Sequence, residues 1–143
     1  MQLNGLLNKG IALERLGHLQ DAIRYYDKAL RLDPTNPDLI VNEGDALTRA
    51  KNYTGAIFYY EMALAVYPNS TGSTGLLQGI GDNLYQLGKY TEAIRYYDKA
   101  LAREPNNMQI QQGKSLALDA LDKIIIIYAL DKSANNRTLA SVK

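Results

Sequence analysis

A nine-residue phrase occurs twice in this chain without a single change. Ala22-Ile23-Arg24-Tyr25-Tyr26-Asp27-Lys28-Ala29-Leu30 returns as Ala93 to Leu101. A looser copy, Ala56-Ile57-Phe58-Tyr59-Tyr60-Glu61-Met62-Ala63-Leu64, lies between them. The first and middle copies are 34 residues apart, the middle and last 37. Pro34, Pro68 and Pro105 keep the same beat, as do Gly10, Gly44 and Gly81. The three extra residues of the second interval fall in Asn69-Ser70-Thr71-Gly72-Ser73-Thr74-Gly75, a run of turn formers that absorbs an insertion. A period of this length marks like units that stack on one another.

Each unit reads as two helices. Ala22, Ile23, Tyr26, Ala29 and Leu30 recur at spacings of three and four, one face of an α-helix. Leu6, Gly10 and Leu13 do the same for the helix before it. Gly17, in Leu16-Gly17-His18-Leu19, ends the first helix by taking a positive φ. Asp33-Pro34 closes the second, because proline cannot continue the hydrogen-bond ladder. All four prolines, Pro37 included, stand at predicted helix edges.

The coupled positions resemble the tetratricopeptide repeat. The sets are Gly10, Ala22, Tyr26, Ala29, Pro34; Gly44, Ala56, Tyr60, Ala63, Pro68; and Gly81, Ala93, Tyr97, Ala100, Pro105. In that family a glycine lets two helices pack closely, a small residue and an aromatic follow, and a proline ends the unit. The tryptophan common early in the first helix is replaced here by Leu6, Ile40 and Leu77, which adjusts volume without breaking the fold. The resemblance implies an all-α, right-handed superhelical solenoid of antiparallel helix pairs. Its array would span residues 1–132, with repeats at about 3–36, 37–70 and 74–107. A degenerate fourth unit would fill 108–132. Met108 to Leu121 forms its first helix, with Ser115 in the glycine's place. Asp122 to Lys132 carries the β-branched run Ile124 to Ile127, which suits a strand in isolation but finds no sheet here. It is expected to be a helix covering the open end of the stack. Residues 133–143 read as a polar, frayed tail.

Composition narrows the function classes. Sixteen basic residues against fifteen acidic ones, with no basic block, point away from nucleic acid and anionic membranes as partners. The absence of cysteine excludes disulfides, thiol nucleophiles and zinc-thiolate sites. Met1 to Leu7 lacks the order of a signal peptide, and the apolar run Ile124 to Leu130 is far short of the roughly 20 residues a membrane span needs. The expected setting is cytoplasmic. The helical pattern starts almost at Met1, as it would in an excerpt from a longer protein.

By resemblance, the first helices line a concave groove that holds a protein or peptide partner. The helical wheel puts Asn4, Leu7, Asn8, Ile11, Glu14 and Arg15 there from the first repeat. The second supplies Asp38, Val41, Asn42, Asp45, Thr48 and Arg49, and the third Gln78, Asp82, Tyr85 and Gln86. Leu7, Ile11 and Val41 form an apolar spot, and Tyr85 offers an aromatic platform. Some family members clamp the C-terminal carboxylate of chaperones with lysine, arginine and asparagine. The matching positions are Leu7, Ile11, Asn42, Gly75 and Gly79, where only Asn42 fits, so no such clamp is expected. Asp45 and Asp82 suit a basic or amide group instead, unless Arg15 and Arg49 neutralise them. The alternative is self-association through the exposed repeat ends.

Catalysis and cofactors are not expected. His18 is the lone histidine and lies in a turn. No histidine–glutamate cluster offers a metal site. Gly79-Ile80-Gly81 lacks the third glycine of a dinucleotide fingerprint. Asp21, Asp27, Glu92 and Asp98 fit helix-dipole support or solvation. Tyr26, Tyr60 and Tyr97 occupy packing positions, which argues against base stacking. Asn52-Tyr53-Thr54, Asn69-Ser70-Thr71 and Asn136-Arg137-Thr138 match the glycosylation acceptor by chance.

Overall fold

The computed structural model describes residues 2–142. They form seven helices: α1 Gln2–Arg15, α2 Leu19–Leu32, α3 Pro37–Arg49, α4 Tyr53–Val66, α5 Ser73–Gln86, α6 Tyr90–Arg103 and α7 Met108–Ser141. Each packs chiefly on its neighbours in sequence, which is the contact pattern of a solenoid. The boundaries have local causes. Asn36 accepts hydrogen bonds from the Asp38 and Leu39 amides and caps α3, with Pro37 in the first turn. Asn52 and Asn107 cap α4 and α7 in the same way.

The packing inside each pair rests on one contact. A Cβ placed on Gly10, Gly44 or Gly81 would lie 2.5, 2.6 or 2.7 Å from the ring of Tyr26, Tyr60 or Tyr97. Those distances are too short for any side chain, so the Cδ1–Cε1 edge of the ring lies on bare helix backbone. The first helix of the next repeat also closes on the ring in the second and third repeats. Gly79 and Gly113 there would bring a Cβ to 3.1 Å from Tyr60 and 2.9 Å from Tyr97. Ala22, Ala29, Ala56, Ala63, Ala93 and Ala100 are buried beside the rings, completing a small–large–small layer. Asn83 adds a polar tie between repeats: it accepts from the Thr48 hydroxyl and donates to the Gly79 carbonyl.

The C-terminal unit departs from the expected two helices. One helix, α7, runs through the first helix, the covering helix and nearly all of the tail; Lys143 lies outside the described residues. The turns of the three repeats each hold a positive φ, at Gly17 (82°), Lys51 (62°) and Gly88 (76°). Asp122 occupies that register in the fourth unit without a positive φ, and Lys123 and four isoleucines follow, whose branched Cβ disfavours the left-handed region. Nothing turns the chain, so the helix continues. Residues 122–132 therefore do not cover the last repeat. Ile124 to Tyr128 and Leu130 are between 50% and 68% exposed.

A buried acid marks the junction of the first two repeats. Glu43 is 2% exposed, and its Oε2 has no partner among the described residues. Lys9, Ile80 and Lys114 hold the same place in the other units. Lys114 pairs with Asp98 at 2.6 Å, whereas Glu43 confronts Asp27, the equivalent of Asp98. Burial first, and the Asp27 charge second, push the Glu43 carboxyl up to about 8. A raised folded-state value favours the protonated form. The contribution is thus full below the ordinary 4.5 and is lost as pH rises through about 8. The melting temperature should fall across that window relative to Glu43→Gln, which lacks the titrating group. Calorimetry of both proteins from pH 5 to 8 measures the difference, and parallel curves would refute the assignment.

Candidate functional site

The hydroxyls of the three packing tyrosines point towards the faces of α1, α3 and α5 that carry the expected groove residues. Tyr26 donates to Glu14 at 2.6 Å, Tyr60 to Asp45 at 2.6 Å and Tyr97 to Asp82 at 2.7 Å. In the second and third repeats the acceptor follows the packing glycine directly. In the first repeat Ile11 stands there, and Glu14 supplies the carboxylate three residues on, from the same face. Burial, reinforced by these carboxylates, pushes the hydroxyls of Tyr60 and Tyr97 above their ordinary range. They are fixed donors. Asp45 and Asp82 therefore have a structural task that their positions alone do not reveal.

Two hollows lie along this face. The larger, about 730 Å³, is lined by Leu7 of α1, by Pro37, Asp38, Val41, Asn42 and Asp45 of α3, and by Tyr60, Ala63 and Tyr67. Ser70, Thr71, Gly72, Gly75 and Leu76 complete it. The smaller, about 520 Å³, brings together Ile11, Glu14, Arg15, Tyr26, Asn42, Asp45 and Arg49. Asn42 and Asp45 belong to both, forming a shared wall. Arg49 pairs with Glu14 and not with Asp45.

Six of the ten expected site residues meet in these hollows: Leu7, Ile11, Arg15, Asn42, Asp45 and Arg49. Asn8, Gln78, Asp82 and Tyr85 line neither. Tyr85 packs edge-on against Tyr90, with ring centroids 5.3 Å apart, so its ring is partly spent on internal packing. Helical-wheel reasoning missed Pro37, Tyr60, Ala63, Tyr67 and the wall Ser70–Gly72. The available signal was the interval of 37 residues, since the insertion builds that wall.

The insertion is held in place. Ser73 Oγ donates to the Ser70 carbonyl at 2.7 Å. Arg103 of α6 bonds Ser73 Oγ and donates to the Pro68 carbonyl at 3.1 Å. Leu32 and Val66 occupy the matching places in the other repeats, so the arginine appears only where the longer loop needs it. In Arg103→Ala, amide exchange at Ser70 and Ser73 should quicken by about tenfold, with global stability changed by less than about 1 kcal/mol. Unchanged exchange at those amides would show that Arg103 does not hold the loop.

Among the described residues no cluster of metal-ligating side chains occurs, and no helix is long and apolar enough to cross a membrane.

The chain is similar to known proteins along most of its length. Tetratricopeptide-repeat family models match residues 4–36, 38–70 and 75–107. No curated protein matches the chain. The first TPR domain of Spaghetti (RPAP3), bound to the HSP90 peptide SRMEEVD, is 28% identical, with a TM-score of 0.74 over 85% of this chain and 94% of that one. The first TPR domain of human RPAP3 is also 28% identical, with a TM-score of 0.73 over 85% and 94%. The MamA protein is 22% identical, with a TM-score of 0.74 over 89% of this chain and 69% of that one, a likeness of fold. Three stacked glycine–tyrosine pairs and three family-model matches lead to one conclusion: the chain belongs to the tetratricopeptide-repeat family.

Proposed function

We propose that this protein is a non-catalytic scaffold that holds an extended segment of another protein against α1, α3 and α5. The observation that carries this reading is the larger hollow, where Leu7, Val41 and Leu76 stand beside Asp38, Asn42 and Asp45. An apolar floor with a few polar groups is the usual make-up of a binding site, and 730 Å³ accommodates one or two side chains. The likeness to a domain that binds an HSP90 peptide supports the same use of the groove. The mode differs, because Leu7, Ile11, Gly75 and Gly79 offer no cation to a terminal carboxylate. No nucleophile, base and orienter converge here, and the tyrosine hydroxyls are held protonated.

Peptides selected by the intact chain from a phage-displayed random library provide the test. A bound peptide should slow amide exchange along α3 and the Ser70–Gly72 wall. Val41→Glu should weaken binding by more than about tenfold with unchanged far-UV circular dichroism. Protection confined to the outer helices α2, α4 and α6 would refute the groove.

The exposed run Ile124–Leu130 favours a second role, self-association with a second copy of α7. Ile124 and Tyr128 continue the helix face on which Ile110 and Ala117 are buried, so the docking surface extends an existing interface. Asp122-Lys123 and Asp131-Lys132 bracket the run, and antiparallel pairing sets each end against charges of both signs. Light scattering of the full chain should give twice the chain mass, reverting to one chain mass in Ile124→Glu/Tyr128→Glu. A single chain mass at high concentration would exclude the pairing.

A further inference from the structure

The larger hollow has a one-sided charge. Asp38 and Asp45 line it, and no lysine, arginine or histidine does. Arg49, in the neighbouring hollow, is engaged by Glu14, and Arg103, behind the wall, is held by Ser73 and the Pro68 carbonyl. Asp45 uses Oδ1 to accept from Tyr60, and Oδ2 accepts no hydrogen bond from the described residues. Asp38 is exposed in the first turn of α3, and its carboxylate likewise accepts none. Both acids are thus available to a ligand without breaking an internal bond.

Their spacing adds a length. Asp38 and Asp45 are seven residues apart on one helix, a rise of about 10 Å. An extended peptide covers that distance in about three residues. Between the two acids lies Val41, facing Leu7 and Leu76 across the hollow. The far wall, Ser70–Gly72, is neutral and small, and it is pinned through Ser73 by Arg103. An arriving chain therefore meets an apolar seat with a carboxylate at each end.

We infer that the groove selects a peptide segment in which an apolar side chain is flanked, within about three residues, by lysine or arginine. This rests on the peptide-binding reading above and assigns the chemistry of the partner. An acidic segment would face two carboxylates with no compensating cation, and like-charge juxtaposition at an interface disfavours it. Leucine or a similarly sized side chain fills the seat over Val41, and the ammonium or guanidinium groups reach Asp38 and the free oxygen of Asp45.

The same selected peptides, sequenced and synthesised, test the inference by fluorescence anisotropy. The enriched sequences should carry an apolar residue beside lysine or arginine. Their affinity should fall about five- to tenfold in Asp38→Asn and again in Asp45→Asn, which keeps an amide oxygen for Tyr60. It should also weaken as salt rises from about 50 to 300 mM. Enrichment of glutamate- or aspartate-rich peptides that still protect α3 would leave the groove standing and overturn its charge preference. Basic peptides unaffected by either substitution would overturn it too. Failure to enrich any peptide would remove the groove reading and this inference with it.

Discussion

Every repeat depends on a tyrosine ring lying against a glycine. Gly10, Gly44 and Gly81 leave no room for even a methyl group, so the two helices of a unit meet at the distance set by an aromatic ring against bare backbone. The next unit then seats against the same ring through Gly79 or Gly113. One contact therefore fixes both the spacing inside a pair and the spacing between pairs. The tyrosine's polar end is carried to the inner face, where it needs an acceptor because a buried hydroxyl left unpaired is costly. Glu14, Asp45 and Asp82 meet that need, and the binding face inherits its carboxylates from the demands of packing.

This coupling explains which parts of the molecule were legible in the sequence. The three pairs were, because glycine, alanine, tyrosine and proline each have few alternatives at their places. The joint role of Asp45 and Asp82 was not, because nothing in a helical wheel distinguishes a carboxylate aimed at solvent from one accepting a tyrosine hydroxyl twelve or more residues away. The groove's outer wall was hidden for a related reason: Asn69–Gly75 reads as turn formers, and its direction is set by Arg103, some thirty residues later. The C-terminal unit misled because Asp122 stands in the register of Gly17, Lys51 and Gly88 without taking their positive φ.

Repetition of sequence does not make the interfaces alike. The place filled by Lys9, Glu43, Ile80 and Lys114 changes sign and polarity from unit to unit, although the helices around it are nearly the same. Lys114 gains an ion pair with Asp98, while Glu43 is pressed against Asp27 and gives up its charge. Apolar burial outweighs that local conflict, as it must where Leu39 and Ile40, flanking the same helix, are fully enclosed.

The straight course of α7 also affects how the particle moves through water. From Asp122 to Ser141 the helix extends about 30 Å without a neighbouring helix of its own chain. An arm of that length raises friction far more than it raises mass. The protein will therefore tumble and diffuse as a larger, more compact body would, and its retention on a gel-filtration column will reflect the reach of this arm as much as the number of chains it contains.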